Sequence, residues 1–198
     1  MTDMTQPIRV VLADDHAVVF EALRVPELQR AAVSALAHIG NARAAEACFA
    51  AMERDDLARV AGEAYCWMTG ASLERDGLSR PTLPPEVPEF ENDDLEADLV
   101  PTPEDLWPLP ELDAVRRHWH QRARSQPPEL RHIAGRPVSA ATLLSSLERG
   151  PMVRRTELAY EVVVRTRGRY DVETRAFTER QRRMMAAGRA ALGTAGDR

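Results

Sequence analysis

Apolar and polar positions alternate along this chain in two distinct rhythms. Residues 8–12 are strand-like, IRVVL, and run into LADDH and a short helical stretch ending near Arg24. From Pro26 the period becomes helical. PELQRAAVSALAHIG places Leu28, Ala32, Ala35, Leu36 and Ile39 on one stripe, with Pro26 suited to a first turn and Gly40 to a stop. ARAAEACFAAMER then puts Ala45, Cys48, Phe49 and Met52 on one face. A third helix, capped by Asp55 or Asp56 and ended by Gly70, carries Leu57, Val60, Ala61, Ala64, Tyr65 and Met68.

The first and third of these helices align when shifted by 29 residues. Leu28 then meets Leu57, Arg30 meets Arg59, Ala32 meets Ala61, Ala35 meets Ala64, Leu36 meets Tyr65 and Ile39 meets Met68. A period near 30 built from paired short helices is the mark of a helical solenoid, in which each unit buries its apolar face on a neighbour.

The pattern breaks at Ser79. Between Pro81 and Val115 there is no basic residue, and eight of the fourteen prolines fall there. Proline at that density forbids regular helix or strand. Acids crowd the stretch from Glu86 to Asp105, interleaved with Leu83, Val87, Phe90, Leu95, Leu99, Leu106, Trp107 and Leu109. The large apolar groups predict an ordered excursion anchored on the helical layer, with its acids facing water. The acids lack the glycine and spacing of a calcium loop.

Helical periodicity then returns. Leu112, Val115, Trp119 and Ala123 line one helix, which stops at Pro127-Pro128. Ser139 caps the next, packed by Leu143, Leu144 and Leu147 and closed by Gly150. Another runs from about Val153 to Thr166 with Leu158, Ala159, Val162 and Val163 inward. Thr178 and Gln181 fit a capping box for a last helix, and AALGTAGDR is expected to fray. The expected fold class is therefore mainly α. Residues 1–24 form an N-terminal fragment, 25–78 helical repeats, 79–111 the acidic excursion, 112–191 C-terminal helices and 192–198 a tail.

Composition narrows the chemistry. The net charge of −5 argues against a nucleic-acid partner. All 26 basic residues are arginine, which excludes Schiff-base and phosphate-loop lysine mechanisms. Cys48 and Cys66 fall on apolar helix faces and read as inert buried thiols of a reducing compartment, without support for a disulfide. No apolar run approaches about 18 residues and no signal peptide is evident, so a cytoplasmic location without a membrane partner is expected. His118 and His120 stand two apart on a helix and face different ways. No His-Glu pair, Gly-x-Ser-x-Gly or phosphate loop occurs. The arginines at 165, 167, 169, 175, 180, 182 and 183 form a basic patch that could bind an acidic partner. The favoured expectation is that they fold back on the acidic loop.

Residues 8–24, IRVVLADDHAVVFEALR, resemble the first strand and helix of a LuxR-type response-regulator receiver domain. In that family Asp14 and Asp15 would hold magnesium for phosphoryl transfer to a third aspartate. That aspartate should end a buried strand, yet Asp55 and Asp56 lie in helical sequence, and the phosphate-binding lysine is missing. The reading is of a fragment, with Asp14 and Asp15 as exposed acids lacking an ion. From about Arg24 to Arg183 the chain resembles an uncharacterised family of proteobacterial HEAT-repeat proteins. The matching phrases are AAEACFAAMERDDLARVAGEAYCWMTG, DDLEADLVPTPEDLWPLP, DAVRRHWHQR and RTRGRYDVETRAFTERQRR. The resemblance implies a truncated HEAT-like α-solenoid unit and a scaffold without a known reaction, some members being encoded beside type VI secretion components.

Family members carry more upstream repeats, where about one and a half remain here. The junction near Leu23 implies a fusion, a truncation or an assembly chimera. The missing stack should expose an apolar face prone to self-association. The functional expectation is a non-enzymatic protein-interaction module, an accessory or adaptor, with no catalytic, cofactor or metal residues. Its contact candidates are Trp67, Trp107 and Trp119, if exposed, together with Arg165, Arg167, Arg169 and Tyr170. The alternative is a phosphorelay receiver using Asp14 and Asp15.

Overall fold

The computed structural model describes residues 16–81, 103–123, 127–175 and 178–193. The expected strand at 8–12, Asp14, Asp15 and most of the acidic excursion lie outside the described residues. What is described is mainly helical. The helices are α1 (His16–Ala22), α2 (Gln29–Ile39), α3 (Ala42–Met52), α4 (Asp55–Thr69), α5 (Leu112–Ala123), α6 (Ala140–Arg149), α7 (Met152–Arg165) and α8 (Thr178–Gly193). Short 3-10 turns cover Pro26–Leu28 and Pro103–Leu106. Two-residue strands β1 (His132–Ile133) and β2 (Arg136–Pro137) pair antiparallel, a hairpin that the helical reading of the chain did not anticipate. Among the described residues no helix is long and apolar enough to cross a membrane.

Helices α2, α3 and α4 pack together around an alanine-rich core. Val33, Leu36 and Ala37 from α2 meet Ala44, Ala45 and Cys48 from α3 and Val60, Ala61, Ala64 and Tyr65 from α4. Alanine at these positions lets backbones approach closely, so the contact is dense without long side chains. Gly40 and Gly70 end α2 and α4 in the left-handed conformation, at φ 64° and 73°. Asn41 caps α3 by accepting from the Ala44 N–H at 3.0 Å. The expected aspartate cap of α4 is corrected: Arg54 occupies the N-cap without a side-chain bond, and Asp55 and Asp56 fall in the first turn. There Asp56 serves the helix dipole and pairs with Arg54 at 2.6 Å. Leu28 leaves the predicted stripe because it lies in the 3-10 turn before α2, and it is 49% exposed.

Helix α1 lies against α2, where Val19, Phe20 and Leu23 join the core and the Arg43 guanidinium sits 4.1 Å above the Phe20 ring. The first solenoid-like helices are therefore partly covered, although Val18, Val25 and Leu28 remain exposed. Helices α6, α7 and α8 form the second group. Ser139 caps α6 as expected, accepting from the Thr142 N–H at 3.1 Å. Helix α7 buries Leu158, Ala159 and Val162 together with Arg154. At α8, the Gln181 amide donates to the Thr174 carbonyl at 2.6 Å.

The hairpin braces the two groups. The His132 N–H donates to Gly40 O at 2.9 Å, Ala134 N–H to Trp67 O at 2.6 Å and Gly135 N–H to Met68 O at 3.0 Å. A Cβ at Gly40 would stand 2.6 Å from His132 O, and one at Gly70 2.7 Å from Ala134 O. Glycine is thus required at both helix ends for conformation and for space.

Candidate functional site

Three side-chain arrangements stand out. The first joins the two helical groups. Arg154 is 1% exposed. Its Nε donates to Glu63 Oε1 at 3.0 Å and its Nη2 contacts Glu63 Oε2. Its Nη1 reaches Glu157 Oε2 at 3.2 Å and Ser34 O at 3.3 Å. Glu157 in turn faces His38 Nε2 at 3.0 Å. Burial alone would lower the Arg154 pKa, but the hydrogen bonds and charge of Glu63 outweigh it and hold the value above that of ordinary arginine. Burial likewise pushes Glu157 up, and His38 and Arg154 more than reverse it. One arginine thus ties α7 to α2 and α4 through charge-assisted bonds. Arg131 adds a bidentate pair with Glu161 at 2.7 and 2.8 Å, fastening the hairpin to α7.

The second arrangement is aromatic. Tyr65 is fully buried, and its hydroxyl shares a 2.7 Å hydrogen bond with His118 Nδ1. Its ring packs edge-on to His118 and Trp119, with centroids at 6.0 and 6.4 Å. The Trp119 indole N–H donates to Glu46 at 3.3 Å. Burial, then the Arg122 charge, lower the His118 pKa against the opposing pull of Asp76, so the ring favours its neutral form. This is a satisfied structural pair.

The third is a cleft of about 480 Å³ between α4, the hairpin, α6 and the α6–α7 turn. Trp67 and Trp107 line it, with Glu63 and Cys66 from α4, Arg136 from β2, Ser145, Ser146 and Arg149 from α6, and Val153 from α7. Gly150 is needed in this wall, because a Cβ there would collide with the Ser146 carbonyl oxygen and crowd Trp67 Cη2 at 3.2 Å. Burial pushes the Cys66 thiol up to about 12, aided by Glu63 and Asp76. Cys48 is raised further still, again chiefly by burial. Both cysteines are free thiols. Neither is a nucleophile at neutral pH.

The structure redistributes the residues expected to make contacts. Trp67 and Trp119 are buried and Trp107 is half-buried, so they are not outward-facing anchors; Trp67 and Trp107 meet instead at the cleft. Arg165, Arg167 and Arg169 are exposed, and Arg165 pairs with Glu161 of its own helix at 2.9 Å. Tyr170 is half-buried, with its ring over Gly188. Arg180 and Arg183 reach Glu173 and Glu179. At the described end of the acidic excursion, two other arginines make the contacts. Arg30 pairs with Glu104, and Arg59 donates to the Trp107 carbonyl. These are the two arginines matched by the 29-residue shift. Among the described residues, no three His, Cys, Asp or Glu side chains converge as a metal site requires.

Sequence reasoning passed over Arg154, although a signal for it exists. Arg154, Leu158 and Val162 recur every four residues, so the arginine lies on the inward stripe of α7. No family model, curated protein or solved structure matches the chain.

Proposed function

We propose that this chain is a non-enzymatic protein-interaction module of HEAT-repeat type. The observation that carries the reading is the outer face of α7. Met152 and Tyr160 are 65% and 67% exposed, and Val153 and Val164 are exposed beside them. At about 100° per residue these four fall within one third of the helix circumference, opposite Leu158 and Val162. A helix apolar on both sides has one face without a partner inside the chain. The neighbouring turn presents Arg165, Arg167 and Arg169, which suits a partner with an acidic rim. The stacking of α2, α3 and α4 and the 29-residue correspondence of α2 with α4 support the solenoid reading. The resemblance of residues 24–183 to proteobacterial HEAT-repeat proteins extends the proposal to an accessory or adaptor role in type VI secretion.

The test is a photo-crosslinking amino acid placed at Tyr160 and, as a control, at the exposed Glu74, in the native host. The expected result is one defined adduct from position 160, lost when Val164→Glu is added and identified as a secretion component. Adducts of equal yield from both positions would overturn the reading. The second reading, a phosphorelay receiver, rests on the phrase around Asp14 and Asp15. Acetyl phosphate labelling that depends on both residues would install it instead.

A further inference from the structure

We infer that the cleft between α4, α6 and the hairpin binds a small organic anion with a flat apolar body. Its volume of about 480 Å³ falls in the range of small-molecule sites. Trp67 and Trp107 supply the aromatic walls, and Val153 adds an apolar edge. The charge on the lining is biased to one sign. Glu63 is already paired with Arg154, and the other charged residues of the lining are Arg136 and Arg149. Both are exposed, and among the described residues neither forms an ion pair; Arg136 donates weakly to Ser145 Oγ at 3.4 Å. The result is a cationic cleft in a chain whose net charge is −5.

A third group is also uncommitted. Ser146 is 4% exposed, lines the cleft and buries its Oγ without a hydrogen-bond partner. Buried hydroxyls normally find one, so an unpaired one in a cleft wall marks a donor for a ligand. A carboxylate or sulfonate would accept from Ser146 and from two guanidinium groups while its ring lies against the indoles. The neutral Cys66 thiol adds no competing negative charge to the site. The cleft and the outer face of α7 meet at Val153, but the arginines, Ser146 and the indoles of this inference all lie outside α7.

The test uses the full chain and 8-anilinonaphthalene-1-sulfonate, with N-phenyl-1-naphthylamine as its uncharged counterpart. The anion is expected to bind one saturable site and to quench tryptophan emission. Replacing Arg136 and Arg149 together by alanine should weaken it about tenfold or more, while the neutral probe changes less than about twofold. Ser146→Ala should weaken the anion several-fold. 1-Naphthoate should displace it, and 1-naphthamide should do so about tenfold less well. Both arginines are exposed, so circular dichroism and melting should be unchanged in the double variant. Anion binding that survives the double variant would overturn the inference. So would binding abolished by Tyr160→Glu, which places the probe on α7, or displacement by an acidic tryptophan peptide but not by 1-naphthoate, which makes the cleft a peptide site.

Discussion

The α2–α4 stack and the joint between that stack and α7 are both buried, but they are built from opposite materials. Inside the stack, Val33, Leu36, Ala61 and Ala64 are excluded from water with no directional bond among their side chains. At the joint, the fully buried group is Arg154, placed by Glu63, Glu157 and Ser34. Burial of apolar area is non-directional and tolerates sliding or substitution by similar volumes. A buried guanidinium tolerates neither, because each of its donors has an address. The stack therefore sets how much is buried, and the joint sets where α7 sits.

Removing one partner of the joint should have the largest effect. Arg154→Ala strands Glu63, leaves Glu157 with His38 alone, and should lower stability by about 3–5 kcal/mol in chemical denaturation. The paired change Arg154→Met with Glu63→Leu should recover most of that loss, since the cost lies in the uncompensated charge. If the double variant is as unstable as the single one, the contrast between joint and stack collapses. Gly40→Ala should cost about 1–3 kcal/mol, because it forces a left-handed Cβ toward His132 O. Its cost should be about the same in the Arg154/Glu63 double variant, as the two sites share no partner. Tyr65→Phe keeps the packing of the stack and removes one hydrogen bond to His118, worth about 1 kcal/mol.

The pH dependence distinguishes the regions further. His118 binds its proton less tightly folded than unfolded, so the unfolded chain holds more protons just below the ordinary value of 6.5. Stability should rise as pH climbs toward 6.5 and then level off. Denaturation midpoints at pH 5.5 and 7.5 check this, and His118→Gln should flatten the difference. Glu157 and Glu161 are held low by their cationic partners against burial, so their contribution is present above about 4.5 and fades only at more acid pH. The smallest effect is expected at the hairpin turn. Ala134 carries φ 49°, a conformation that asparagine accepts more readily, so Ala134→Asn should gain about 0.5–1 kcal/mol.

The contrast also explains what could be seen before folding. Helices α3, α4, α5 and α6 were legible because their apolar positions recur at helical spacing and Ser139, Gly40, Gly70 and Gly150 punctuate them. Leu28 was misplaced because a stripe does not record where a 3-10 turn gives way to an α-helix. Arg154 was missed because a charge on a periodic face reads as a solvated edge; its burial depends on Glu63, 91 residues away. The burial of the tryptophans was hidden for a related reason. Composition flags tryptophan as a contact residue, but only the packing assigns Trp119 to Tyr65 and brings Trp67 to the cleft. The matched Arg30 and Arg59 were visible as a pair, while their shared work on Glu104 and Trp107 was not.

The hairpin brace has a further consequence. Its three bonds to the ends of α2 and α4 run from main chain to main chain, so they read no side chain, and at the tip only Gly135 is held to its identity, by φ 74° and by a Cβ that would stand 2.5 Å from Thr69 O. Strand β2, which carries Arg136 to the cleft mouth, is exposed and is fixed in position by neighbours that do not read its identity. Such a position is evolutionarily cheap to rewrite. Sequence drift at 136 can retune what the cleft admits while the scaffold that holds it stays in register.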